Sequence, residues 1–259
     1  MILAEILKLR RQRAALFWGF LFLPLFMTLL AFLLGGGLLK PPPGALVSEV
    51  RLFRSMIRTL SVSGNPIGQL FYAIGGGAIF AVEYRYSGWR HLVPRAARER
   101  LLAAKFAAFA LFAAISLLLA LAGDVVAMLV IPFVQGLHPV IADTPGNAAA
   151  TLLLSSLIAF AELMALGSLV MLVAVATRSA MAAILVPFLF ALAAAAAGAY
   201  LGADAVRSLP LPGYAADALR HWLEGQGSPL IAALTLLGWI ALPFAAAVAL
   251  FRRQDLVSE

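Results

Sequence analysis

An all-α polytopic membrane protein is the fold this sequence predicts, and three observations carry the prediction. The chain is 63% hydrophobic and only 12% charged, with a mean hydropathy of +0.99, a composition outside the range of water-soluble domains. Its apolar residues gather in six runs, each near the roughly 20 residues a helix needs to cross a bilayer core. Its basic residues sit at the ends of those runs and alternate in density from one connection to the next, as the positive-inside rule requires.

The elements follow in order, within a single transmembrane domain covering residues 1–259. Residues 1–13 set Ile2, Leu3, Ile6, Leu7 and Leu9 against Glu5, Lys8, Arg10 and Arg11. That pattern fits an amphipathic helix lying along the inner headgroups, or else an extension of the first span. Spans are expected at 14–34, 64–82, 106–134, 148–176, 180–201 and 229–251. The first run is too long for a signal-peptide core and lacks a small-residue exit, so it reads as an uncleaved anchor. The third run has an apolar part, Phe106–Gly123, that continues to Val134.

Orientation comes from the connections. With both termini inside, the inner segments hold thirteen basic residues: Lys8, Arg10, Arg11, Arg13, Arg85, Arg90, Arg95, Arg98, Arg100, Lys105, Arg178, Arg252 and Arg253. The outer segments hold six: Lys40, Arg51, Arg54, Arg58, Arg207 and Arg220. Six spans with cytoplasmic N- and C-termini satisfy that asymmetry throughout.

Two outer connections carry structure of their own. The first opens on Gly35-Gly36-Gly37 and Pro41-Pro42-Pro43, which stop a helix. Val47, Val50, Phe53, Ile57 and Leu60 then recur at helical spacing with Arg51, Arg54 and Arg58 off the stripe, predicting an amphipathic helix. Those arginines meet solvent, anionic headgroups or a substrate. Residues 202–228 are broken by Pro210, Pro212 and Gly213 before a helical stretch, Tyr214–Leu223. Leu209, Leu211, Tyr214, Leu219 and Trp222 are too apolar for a free loop, so this is a re-entrant or interfacial segment before the sixth span.

Several functions are excluded. The net charge of +7 and pI near 10.4 are spread over span ends with no separate basic module, which argues against nucleic-acid binding. Without cysteine there are no disulfides or thiolate metal sites. Glycine is nowhere followed by lysine, so a phosphate-cradling loop with its lysine is absent. His91, His138 and His221 fall on three connections and cannot jointly hold a metal. Ser155-Ser156 has no histidine at its level, so no hydrolytic elbow exists. The chain reads as non-catalytic.

Ionisable groups inside spans are functional candidates by default. Glu162 lies mid-span among Ala161, Ala165, Gly167 and Ser168. It reads either as a group on a transport path or as a carboxyl bonded to a neighbouring helix. Asp124 either joins that path or marks the outer boundary. Gly64-x3-Gly68, Gly75-Gly76-Gly77 and Gly198-x3-Gly202 permit close approach of helices.

The inner connection 83–105, EYRYSGWRHLVPRAARERLLAAK, is basic and carries Tyr84 and Trp89. Its second half, Pro94 to Lys105, starts with a proline suited to a first turn and continues in good helix formers. Glu83-Tyr84 closing the second span, Gly88-Trp89-Arg90, Pro94-Arg95-x2-Arg98 and Lys105 opening the third span resemble the pattern of ABC-2 type permeases, the membrane subunits of bacterial ATP-binding-cassette exporters. The six-span layout and the proline-broken last loop extend the likeness over nearly the whole chain.

The resemblance implies a cytoplasmic coupling helix within Glu83–Arg100 that docks on a separate ATP-binding subunit, in a bacterial inner membrane. Glu83, Tyr84, Trp89, Arg90, Pro94, Arg95, Arg98 and Lys105 would form it. The aromatics would be anchors, the arginines would pair with partner carboxylates, and Glu83 would tie back to a nearby arginine. ATP and Mg would sit on the partner, with no cofactor in this chain, and a second permease copy would complete the path within the membrane lipid. The implied cargo is hydrophobic or amphipathic: a lipid, drug or peptide. The competing readings are a stand-alone carrier or channel using Glu162, and a membrane anchor without transport.

Overall fold

A computed structural model describes residues 5–8, 12–38, 47–85, 89, 97–142, 145–201 and 209–254. Residues 5–8 form a helical turn. The elements that follow are α1 (Arg13–Gly35), β1 (Val47–Val50), α2 (Leu52–Leu60), a 3-10 turn (Ser61–Gly64) and α3 (Pro66–Arg85). Then come α4 (Arg98–Val134), β2 (His138–Ile141), α5 (Pro145–Thr177), α6 (Ala180–Leu201), α7 (Pro212–Leu223) and α8 (Pro229–Arg253).

Five helices, α1, α4, α5, α6 and α8, are long and apolar enough to cross a membrane. Some 72% of the most apolar stretch of α5 is buried, against 11% to 22% in the other four, so α5 is the central post. The expected span 64–82 overlaps the twenty-residue α3, which is not one of these five. Its three consecutive glycines each face a different neighbour. A Cβ at Gly75 would strike the Phe20 ring of α1, at Gly76 it would lie 3.0 Å from Val170 of α5, and at Gly77 2.8 Å from Ile184 of α6. Where side chains would hold helices apart, hydrogen lets their backbones close. Around this contact Phe20, Phe80, Phe109, Leu163, Val170 and Met171 form the buried core.

Prolines inside helices free carbonyls that hydrocarbon cannot hydrate, and neighbouring helices must accept them. Pro24 removes the donor that would reach the Phe20 carbonyl, and the Ser116 hydroxyl of α4 donates to it at 2.6 Å. Tyr72 of α3 joins the same hydroxyl at 3.0 Å. Pro243 frees the Trp239 carbonyl in the same way, and the Ser168 hydroxyl of α5 lies 2.9 Å from it. Each serine therefore fastens a proline-containing helix to its neighbour. Ser116→Ala should cost about 1–2 kcal/mol, the range of interhelical hydrogen bonds in membranes, measured by denaturant titration in mixed micelles, with Ser168→Ala in the same range.

Three expectations change. The all-α description gains a two-stranded parallel ladder, with Val47 opposite His138 and Val50 opposite Ile141. Val47 and Val50 thus belong to a strand, and the amphipathic helix begins at Leu52, with Arg54 and Arg58 exposed as the pattern required. Backbone pairing with the second connection outweighed the helical spacing of the valines. The short helix expected from Pro94 begins outside the described residues; Ala97 is extended (ψ 134°) and a single helix of 37 residues runs from Arg98 through Lys105 to Val134. At 1.5 Å per residue it is about 55 Å long, well beyond a bilayer core of about 30 Å.

Candidate functional site

The chain brings charge together at two levels, separated by the length of α3. The first lies where α3 ends and α4 begins. Glu83 is 5% exposed and Lys105, two turns into α4, is 1% exposed. The Lys105 ammonium donates to the Ile79 carbonyl at 2.6 Å and lies 2.5 Å from Glu83 Oε2 and 3.1 Å from Glu5 Oε2. Lys8 closes the ring, 2.8 Å from Glu5 Oε1 and 2.9 Å from Glu83 Oε1. Among the described residues two acids and two bases make a neutral cluster, the condition under which buried charge is tolerated. Glu83 is paired there with Lys8 and Lys105, and the arginines near it in sequence have side chains outside the described residues.

Opposing effects set the two N-terminal groups. Burial pushes the Glu5 carboxyl up, but Lys105 and Lys8 outweigh it and hold its pKa below the ordinary 4.5. Burial pulls the Lys8 ammonium down, but Glu5 and Glu83 hold it above the ordinary 10.5. The Glu5 contribution is therefore complete above its unfolded value and disappears as pH falls through the lowered one; that of Lys8 disappears only as pH rises through its raised one. Amide exchange at residues 5–8 should accordingly keep constant protection between about pH 5 and 10 and lose it toward strong acid, once corrected for intrinsic rates.

The same end gathers the last helix. Trp89 is 2% exposed, with its ring 4.6 Å from Phe251 and 5.5 Å from Tyr84, and the Lys105 ammonium lies 5.6 Å from its centroid. α8 ends with carbonyls that have no intrahelical donor. Arg98 Nη1 shares its two hydrogens among the carbonyls of Phe251 at 2.9 Å, Arg252 at 2.8 Å and Gln254 at 2.7 Å, adding positive charge at the negative end of the helix dipole. Tyr84 donates to Gln254 Oε1 at 3.0 Å, and Gln254 Nε2 donates to the Val175 carbonyl of α5 at 2.6 Å. Arg98→Ala should fray this end, with amide exchange rising over residues 250–254 and stability falling by about 1–2 kcal/mol, read by exchange mass spectrometry and thermal unfolding.

The second level lies at the opposite end of α3. Glu162 of α5 is 2% exposed. Its Oε2 is 2.5 Å from Arg220 Nη2 of α7 and accepts from Ser63 Oγ at 2.7 Å. Arg220 Nη2 also donates to Ser63 Oγ at 3.1 Å, and its Nη1 donates to Asp217 at 2.7 Å. Burial pulls the guanidinium pKa down, but Glu162 and Asp217 outweigh it and hold it above its ordinary value. α7 is packed between α5 and α8 through Ala215, Ala216 and Leu219, which fixes Arg220 over Glu162. The pair separates two spaces. A cavity of about 140 Å³ has Glu162 and Asp217 in its lining, and a wider one of about 500 Å³ has Arg54, Arg58 and Arg220.

Of the residues singled out from sequence, Glu83, Tyr84, Trp89, Arg98 and Lys105 come together, while Arg90, Pro94 and Arg95 lie outside the described residues. Trp89, expected as an anchor, packs against Phe251 and Tyr84, and Lys105 is buried beside it. Asp124 is apart from Glu162: it accepts from Ser55 of α2 at 2.9 Å and lines neither cavity. Glu5, Lys8, Ser63, Asp217, Arg220 and Gln254 were missed as site residues. For Arg220 there was a signal, since a mid-span carboxylate demands a cation and only the outer basic residues could supply one. Among the described residues no group of three His, Asp or Glu side chains could hold a metal.

Searches of curated proteins and of solved structures return no match to this chain. The family model described as ABC-2 family transporter protein matches residues 1–194, which takes in α1 to α5, most of α6 and the charged ring. Membrane subunits of that family are generally non-catalytic and work with ABC ATP-binding subunits. This multi-pass membrane protein belongs to the ABC-2 family of transporters.

Proposed function

We propose that the chain is the permease subunit of an ATP-driven exporter, driven by a separate ATP-binding subunit that docks on the 83–105 connection. ATP and Mg belong to that partner, two permease copies build the path, and the bacterial inner membrane is its site. Six spans with α3 as the second, and both termini cytoplasmic, complete this reading. The cargo is hydrophobic or amphipathic, in keeping with the apolar walls of the helices.

The observation that carries the proposal is the convergence on one connection. Lys105, Arg98, Tyr84 and Glu83 fasten its two ends to residues 5–8, α5 and α8. A displacement of the connection moves all of these elements together, which is what transmission from a soluble motor requires. The buried residues act as the fastening, and the partner-facing part falls to Arg90, Arg95 and the exposed Arg100.

Co-purification of the tagged protein from its host, in mild detergent, tests this. A near-stoichiometric ATP-binding subunit should accompany the wild type and be lost from a triple charge reversal at Arg90, Arg95 and Arg100. A homomeric preparation without an ATPase, or capture unaffected by the reversal, would overturn the docking assignment.

A further inference from the structure

Arg54 and Arg58 lie one turn apart on α2, and both line the wider cavity of about 500 Å³, at the end of the bundle opposite the charged ring. We propose that this cavity binds the headgroup of an anionic phospholipid, with the two guanidinium groups on its phosphate. The site requires only that the chain sit in a bilayer, not that it transport, so it stands apart from the permease reading.

Both arginines are exposed, and neither has an ion-pair partner among the described residues. Like charges four residues apart on a helix repel, and an anion held between them removes that cost. Phosphate suits the role, because a planar guanidinium donates two parallel hydrogen bonds to a pair of its oxygens. Arg220 is on the same wall but is already engaged by Glu162. Asp217, the other acid on Arg220, is 57% exposed and lines the smaller cavity instead. Glu224 is the acid in the lining of the wider cavity, and it pairs with neither Arg54 nor Arg58. Two unmatched bases against this one acid leave a single positive charge, which a phosphodiester balances.

The remaining wall selects a lipid over a free anion. Ser155 is 3% exposed, lines the cavity and makes no hydrogen bond among the described residues. A buried serine without a partner is uncommon, and a glycerol or phosphate-ester oxygen would accept from its hydroxyl. Phe53, Ile57, Leu60, Ala148 and Leu223 add apolar surface, which a phosphate ion alone would leave uncovered. Ala148 and Ser155 also belong to the first turns of the apolar stretch Ala148–Thr177 of α5. The cavity therefore lies where headgroups give way to acyl chains.

The test uses the full chain in mild detergent, with native mass spectrometry counting bound lipid as dioleoyl-phosphatidylglycerol or dioleoyl-phosphatidylcholine is titrated. The first phosphatidylglycerol should bind about tenfold more tightly than the first phosphatidylcholine, whose choline cancels the phosphate charge. Joint Arg54→Ala and Arg58→Ala replacement should weaken phosphatidylglycerol binding about thirtyfold, the worth of two basic groups beside a headgroup. Arg51→Ala removes an exposed arginine next to the same helix that does not line the cavity, and should leave the affinity unchanged. Ala148→Phe narrows the cavity without altering its charge and should weaken binding as well. Equal affinity for the two lipids, equal losses in Arg51→Ala and the double variant, or unchanged binding in Ala148→Phe would overturn the site. Displacement of the lipid by millimolar inorganic phosphate would also overturn it, by giving the arginines to a free anion.

Discussion

Lys105→Met should be among the most damaging single substitutions in the protein, lowering stability by about 3–5 kcal/mol, as removal of one partner from a buried ion cluster does. The methionine fills a similar volume, so the loss is electrostatic. Among the described residues Glu5 and Glu83 would be left with Lys8, and the Ile79 carbonyl would lose its Lys105 donor. Adding Glu83→Leu restores neutrality around Lys8 and Glu5, and the double variant should regain more than half of the loss. Equilibrium unfolding in mixed micelles gives the coupling energy through the double-mutant cycle. Additive effects would mean that the ring contributes no cooperative charge pairing.

The second large effect is an asymmetry across one ion pair. Arg220→Ala strands Glu162, whose side chain is 1% exposed, and should cost about 3–5 kcal/mol. Glu162→Gln leaves Arg220, 20% exposed, with Asp217 still 2.7 Å away and the wider cavity on its other side. That variant should cost no more than about 1–2 kcal/mol, since a neutral amide still accepts from Arg220 and Ser63. The same unfolding titration separates the two. Equal losses would show that solvent reaches both partners alike.

What could be read from residues alone follows physical range. The long helices were legible because the need for about 20 apolar residues is local, and five of the six expected spans fall within α1, α4, α5, α6 and α8. The triplet at Gly75 was legible as a close-approach face, although not that each glycine serves a different neighbour. Trp89 illustrates the limit. An aromatic in a basic loop has the same local signature whether it faces a partner or folds back onto Phe251, and only the end of α8, 162 positions later, decides it. The charged ring was illegible for the same reason, since Glu5 and Lys105 are a hundred residues apart and each looks like an ordinary helix-end charge. Four-residue strands leave too little pattern to outweigh an adjacent helical stripe, so the ladder went unseen.

That ladder has a consequence for how the chain is made. β1 cannot pair until β2 has been synthesised, and the 87 intervening positions between Val50 and His138 include α2, α3 and α4. At about 5–20 residues per second this is a wait of roughly 4–18 s. Throughout it the first strand has unmet backbone groups of the kind that recruit foreign strands. Its mate is made only after α4, so the ladder closes late. On the proposed six-span topology, a chain in which α4 entered in the wrong sense would place the two strands on opposite sides of the bilayer, and the unpaired edge would remain as a mark by which quality control could recognise the error.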